Sequence, residues 1–479
     1  MSESNRTKRK NYLYYFALLA IFGLGIWLIL AAGSKLTTPN VATNQRIASA
    51  PAGSIDVSLS PNSSGSKLVR FTDRSALSIL LLQIIVIIIV AKLFGDVFRR
   101  IGQPPVMGEM VAGIALGPSI LGLLSPQISA FLFPQSSMVT LGVFSQVGVV
   151  LFMFIVGMEL DLQHLRERAS SAIMVSHASI VVPFLLGSAL ALILYPSLAP
   201  SNTSFTAFAL FMGIAMSITA FPVLARILKD RGLTQSALGN TALACASIDD
   251  VTAWCILAFV IAVVKARGFG DSILTLVLTF LFVVLMLLLK PRIETFIIRR
   301  IENERYSRLM MAGILAFALA CAWFTETIGI HALFGGFLAG VVIPSAASVQ
   351  AFLKERIEGF SSTALLPLFF VFTGLRTQIT LLNDWKSWLT CLAIVVVAVA
   401  GKLVGSMLMA RWTRMSWRDA FSIGVLMNTR GLIELVVLNI GYDLGILSAR
   451  IFVMMVIMAL ATTFMTTPLL SFVKLGKPQ

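Results

Sequence analysis

The sequence predicts an all-α polytopic membrane protein built as an inverted repeat around interrupted helices. Three observations point there. The 479 residues are 57% hydrophobic and only 12% charged, against about 25% charged in soluble domains. Apolar runs of about 20 residues, the length that crosses a bilayer, recur along the whole chain. Two adjacent aspartates, Asp249 and Asp250, sit inside one such run, ACASIDDVTAWCILAFVIAVV. A charge at the bilayer centre costs about 2.5–3.5 kcal/mol on insertion scales, so two neighbouring carboxylates there read as chemistry. They can hold a cation or protons, and they compete for one space.

Fourteen apolar segments follow in order: 12–33, 75–97, 104–122, 140–158, 170–195, 205–228, 238–264, 272–290, 308–327, 329–348, 362–380, 388–410, 419–440 and 448–473. The first follows a basic start, MSESNRTKRK. Its apolar core exceeds the 7–15 residues usual in a secretory signal, so residues 1–34 are read as an anchor helix with signal-like features. Residues 35–74, rich in Ser, Asn, Thr and Pro, read as a flexible exterior linker. The third segment, PPVMGEMVAGIALGPSILG, is short and Pro/Gly-rich, which predicts a tilted or broken helix.

Lys and Arg set the orientation. With the N-terminus inside, the inner loops hold Arg99, Arg100, Arg166, Arg168, Lys229, Arg231, six basic residues between Lys290 and Arg308, then Lys354, Arg356, Arg411, Arg414 and Arg418. The short outer loops hold only Lys265, Arg267, Arg376, Lys386 and Arg450. Both termini are thus expected in the cytoplasm. The net charge of +15 is spread over these short loops, which argues against a nucleic-acid partner.

LFMFIVGMELDL (151–162) resembles LFFVFTGLRTQI (368–379), and EMVAGIALGPSI (109–120) resembles GFLAGVVIPSAA (336–347). Each matched pair crosses in opposite directions, the arrangement of many secondary transporters. The expected units are a first repeat over 75–264, a linker helix and cytoplasmic loop over 265–307, a second repeat over 308–474 and a tail over 475–479.

Successive helix positions differ by about 100°, so Asp249 and Asp250 cannot both face one partner. One pairs with a fixed cation while the other faces an aqueous cavity. Lys402, mid-segment in VVVAVAGKLVGSMLMA between Gly401 and Gly405, is the expected partner; a snorkelling lysine would lie nearer a helix end. In FMGIAMSITAFPVLARI, Pro222 removes a backbone donor, and Ser217 and Thr219 precede it as candidate ligands of a dehydrated ion. Asn428-Thr429-Arg430-Gly431 interrupts a second run, with Glu434 following. Broken segments at matching places in two halves are the best sequence pointer to a transport site, and Arg430 with a nearby carboxylate would offset the dipole ends of crossed half-helices. A plain kink at Pro222 and a mutual ion pair between Arg430 and Glu434 are the structural readings beside these. Glu109, Glu159, Asp161, Glu326 and His331 are not expected as ligands. Cys245, Cys255, Cys321 and Cys391 look like apolar fillers, and His164, His177 and His331 lack metal-ligand spacing, so no cofactor is expected.

GEMVAGIALGPSILG, GMELDL, SITAFPV, SIDDVTAW, IGIHALFGGFLAGV, PLFFVFTGL and NTRGLIELVVLNIG together resemble the monovalent cation:proton antiporter-2 family, in the flavour of plant-type cation/H+ exchangers and their bacterial relatives. The match runs from about residue 75 to 474. The resemblance implies the sodium/proton antiporter fold with two crossed discontinuous helices, a core and a dimerisation domain, and a homodimer. It makes Asp250 the ion carrier, Lys402 the partner of Asp249, Ser217 and Thr219 part of the first broken helix, and Arg430 and Glu434 part of the second. Many plant-type members lack the first aspartate, so the doublet departs toward the electrogenic type. The soluble domain that some relatives carry after the membrane part is not expected in a chain that stops at Gln479.

The resulting expectation is exchange of Na+ or K+ for H+ across a bacterial inner membrane, with no enzymatic activity. A K+ efflux system with channel-like conductance is the alternative within transport. An intramembrane aspartyl protease needs its two aspartates on different helices, whereas here both lie on one. A membrane sensor or scaffold leaves the buried charges unexplained.

Overall fold

The computed structural model describes residues 3–36, 75–159, 169–234, 236–265, 269–301, 307–344 and 346–472, which form helices throughout. The expected linker, Asp161 and His164 lie outside the described residues. Every apolar segment coincides with a helix, a broken helix or a pair of short ones. Ten described helices are long and apolar enough to cross a membrane, eleven with the bent pair Trp417–Met427 and Leu432–Asp443. That is fewer than fourteen because segments such as Leu18–Gly33 and Ala332–Val341 are too short to pass the same test.

Helix starts follow local chemistry. Ser204 accepts the amide of Ala207 to begin Phe205–Ser217, and Ser416 accepts that of Asp419 to begin Trp417–Met427. Each is a side-chain cap of orphan N–H groups. Asp384 caps Trp385–Val399 in the same way, and the Ser387 hydroxyl holds its carboxyl below the ordinary range.

Two groups of helices result. Ala76–Arg100, Pro105–Leu116 and Gln135–Glu159 pack with Ser307–Thr327, Ala332–Val341 and Leu366–Leu375. Ala169–Leu198, Phe205–Ser217, Phe221–Asp230 and Ala237–Lys265 pack with the run from Trp385 to Trp412 and with Trp417–Met427, Leu432–Asp443 and Ala449–Phe472. Phe269–Ile301 lies between them in sequence, and Lys290 ties it to the first group by donating to Val341 O at 3.1 Å.

The first group carries the signature of the repeat. A Cβ on Gly113 would lie 2.3 Å from Val371 O and 2.8 Å from the Cα of Gly374; one on Gly157 would lie 2.1 Å from Phe337 O and 3.1 Å from the Cα of Gly340. Gly113 and Gly340 occupy matching places in one pair of similar segments, Gly157 and Gly374 in the other. The two glycine contacts thus join matching places of the two similar segment pairs, and both demand backbones too close for any larger side chain.

The first helix, Glu3–Gly33, packs on the second group. Phe22 meets Phe184 edge-on at 5.5 Å, and Gly33 lies against the ring of Phe205. Glu159 pairs with Lys354 at 2.6 Å, both part-exposed. Glu326 Oε2 accepts the Ala332 amide at 2.8 Å, while His331 Nδ1 accepts that of Leu333. These side chains serve interface and helix caps.

Candidate ion-binding site at the helix crossing

Two helices break at membrane depth. Phe205–Ser217 stops and Phe221–Asp230 starts after an extended Ile218-Thr219-Ala220; Trp417–Met427 stops and Leu432–Asp443 starts after Asn428-Thr429-Arg430-Gly431. Pro222 sits in the first turn of its half-helix, where a missing N–H costs nothing. The breaks touch, with Ala220 N donating to Thr429 O at 3.0 Å. All the residues at both breaks are buried.

The buried basic groups sit at the C-terminal end of the first half-helix, where carbonyls lack intrahelical partners. Arg430 donates to Ala215 O at 3.0 Å and to Met216 O at 2.7 Å, and Lys402 donates to Ser217 O. These positive groups complement the negative end of the helix dipole. Arg430 also pairs with Glu434 at 3.2 Å, with both side chains fully buried. The ion pair and the dipole offset read from the sequence are thus both present in one guanidinium.

Lys402 pairs with Asp249 at 3.1 Å, and neither side chain is exposed. It also donates to Ser179 O at 3.0 Å, so all three ammonium donors are used. Lys402 stands in a π-helical turn, Ala400–Val404, a local widening that recurs at functional sites. Gly401 lets this turn close on the serine helix, since a Cβ there would lie 2.9 Å from the Cα of Pro183. Asp249 receives further bonds from Ser176, from Ser179 at 3.0 Å and from Thr219 at 2.7 Å. Four donors meet its two oxygens, three on Oδ2 and one on Oδ1.

Asp250 differs. It is 2% exposed, and its Oδ1 has no hydrogen-bond partner among the described residues. Its carboxyl lies by the start of Phe221–Asp230, the second half of the broken helix, where the helix dipole is positive. Asn428 is also buried with both polar side-chain atoms unpartnered, as is Oε2 of Glu434. A dehydrated cation needs oxygen ligands of this kind.

The structure brings Asp249, Asp250, Ser217, Thr219, Lys402, Arg430 and Glu434 to one crossing. Ser217 and Thr219 serve the Asp249–Lys402 pair: Ser217 offers its carbonyl to Lys402 while its hydroxyl donates to Gly213 O at 2.7 Å. Sequence reasoning missed Ser176 and Ser179. Their signal is a pair of serines three apart in the otherwise apolar SAIMVSHASIVVPF, which places both on one helix face.

Residues 85–473 match the family described as sodium/hydrogen exchanger, transmembrane. The chain is 44% identical over 399 residues to a Na+/H+ antiporter, NhaS4, of Synechocystis, covering 83% of this chain and 97% of that one. It is 39% identical over 408 residues to cation/H+ antiporter 17 of Arabidopsis thaliana (84% and 49%) and 34% identical over 419 residues to K+/H+ antiporter 1 of Saccharomyces cerevisiae (86% and 48%). It thus spans about half the length of those two eukaryotic relatives. The fold matches the sodium proton antiporter MjNhaP1 of Methanocaldococcus jannaschii with a TM-score of 0.60 at 13% identity, covering 84% of this chain and 99% of that one. Family match, relatives and fold agree with the crossed broken helices, and the chain belongs to the sodium/hydrogen exchanger family of transmembrane transporters.

Proposed function

We propose that the protein exchanges a monovalent cation, Na+ or K+, for H+ by alternating access, with Asp250 as the shared binding group. One observation carries this reading: of two adjacent buried carboxylates, Asp249 accepts from a lysine and three hydroxyls, while Asp250 keeps an oxygen without a partner at the crossing. Deprotonated Asp250 takes the cation and protonation displaces it. Cation and proton each neutralise Asp250, which is what lets the two helix groups move past each other in either loaded state.

Asp249, Thr219, Ser217 and Lys402 act through the ion pair beside the carrier. A cation arriving at Asp250 weakens the hold of Asp249 on Lys402, and Lys402 then gives up a proton. Two protons per cation move net charge, worth about 2.3 kcal/mol per charge per 100 mV of membrane potential. Arg430 and Glu434 hold the first half-helix end in place throughout. The names of the relatives cover both sodium and potassium, so both ions belong in the test. The reading places the protein in the cell inner membrane as a homodimer with both termini cytoplasmic, supported by the basic inner loops and by the family resemblance.

Proteoliposomes with an imposed proton gradient test the carrier role. Wild-type protein is expected to show proton flux on addition of Na+ or K+, and Asp250→Asn to show none while eluting as a folded species. Full cation-driven flux in that variant would refute the assignment.

A further inference from the structure

We propose that Arg376, Asn439 and Asp443 form a latch that closes the outer side of the ion pathway and must part before the site opens outward. The proposal rests on the exchange reading above. Arg376 ends the helix Leu366–Leu375 of the first helix group. Asn439 and Asp443 lie one turn apart in Leu432–Asp443, the half-helix that leads from the crossing to the outer surface. The Arg376 guanidinium pairs with Asp443 and donates to Asn439 Oδ1 at 2.9 Å. Asn439 Nδ2 returns a bond to Thr373 Oγ1, also at 2.9 Å.

The same guanidinium lies 4.9 Å from the ring centroid of Phe372 and 5.0 Å from that of Tyr442. It is thus sandwiched between one aromatic residue from each helix group, a geometry of cation–π attraction. Both polar contacts and the Tyr442 contact cross the boundary between the two groups. They form a fork of two donors on two acceptors, a rigid recognition that lysine could not reproduce.

Beneath the latch, between the groups, lies a cavity of about 20 Å³ lined by Gln146, His331, Asn439 and Asp443 among others. That holds about one water. The inner side is closed too, over a cavity of about 10 Å³ bordered by Met107, Val223 and Gly431. There Gln103 donates to Phe464 O at 3.3 Å, and Glu109 faces the charges of Lys92 and Arg226. The described contacts close over both cavities, and the outer seal includes an ion pair. Its side chains are 21% and 39% exposed, so water can compete for the pair, which suits a contact that opens and recloses.

Cation uptake measured separately in right-side-out and everted membrane vesicles tests the latch. Arg376→Gln and Asp443→Asn each remove the ion pair, and the part-exposed Asp443 tolerates the isosteric change. Loosening the outer seal raises the fraction of outward-open protein. The apparent KM for Na+ or K+ at the outer face is then expected to fall by about three- to tenfold, while that at the inner face stays or rises. The double variant is expected to match Arg376→Gln, since that change already removes the pair with Asp443. An outer-face KM that is unchanged or higher in both variants overturns the latch, as does a parallel fall at both faces. Absence of exchange in wild-type vesicles would instead overturn the exchange reading, and the latch with it.

Discussion

Asp249 and Asp250 share one turn of one helix, yet they belong to different electrostatic regions. Asp249 faces the serine helix and the π-turn of Lys402, where four donors meet its two oxygens. Asp250 faces the start of a half-helix, and its Oδ1 has no hydrogen-bond partner among the described residues. The difference teaches that neighbouring carboxylates can be held differently, one fixed by several donors and the other left with an oxygen unmet, and the exchange proposed above assigns them different tasks. About 100° of helical rotation separates the two cases.

The largest expected effect breaks the saturated side. Lys402→Met leaves Asp249 as an uncompensated buried charge and is expected to destabilise the fold by about 3–5 kcal/mol; a thermal melt in detergent reads this as a marked fall in Tm. Adding Asp249→Asn removes that charge. The double variant should recover most of the lost Tm, and its exchange should survive without generating current under a clamped potential. A double variant as unstable as the single one would show that the pair is not a self-contained unit.

Thr219→Val comes next. It removes a bond to Asp249 and one to Met427 O at 3.1 Å, and a buried acceptor left unmet costs about 1–3 kcal/mol. Because Thr219 joins the two breaks, the cation KM should rise along with the loss of stability. Ser176→Ala and Ser179→Ala each remove one donor of four, and each should cost about 0.5–1.5 kcal/mol with little change in KM. Equal effects of Thr219→Val and Ser176→Ala on KM would erase the distinction between crossing and support.

The open side is sharpened by pH. Cation and proton compete for one carboxylate, so acidification is expected to raise the apparent cation KM, by about tenfold per pH unit once the proton dominates, with the maximal rate preserved. A KM independent of pH between 6 and 9, a window of about three units around neutrality, would point to separate sites.

Much of this was legible in the sequence because membrane-depth charge is rare and costly. Asp249, Asp250, Lys402 and Arg430 announce themselves inside apolar runs, and Pro222 and Asn428-Thr429-Arg430-Gly431 mark the breaks. Gly113, Gly157, Gly340 and Gly374 carried the repeat because only a missing side chain permits those backbone approaches. Less was legible where the signal is ordinary. Serines are common in membrane helices, so Ser176 and Ser179 did not stand out. The π-turn at Lys402 depends on packing against Pro183, which no local pattern encodes. The division of labour within the doublet was fixed in kind by helical geometry, but which hydroxyls fall on which carboxylate follows from the tertiary crossing: Thr219, expected beside the carrier, bonds Asp249 instead. Arg376 read as an outer-loop charge because its partners lie 63 and 67 positions away.

The central claim is that cation and proton take turns on one open carboxylate. The most direct measurement adds Na+ or K+ to purified protein in a lightly buffered detergent solution and follows cation uptake and proton release together. Wild-type protein should release protons as it binds the cation, and Asp250→Asn should do neither. Cation uptake with undiminished proton release by Asp250→Asn would contradict the account.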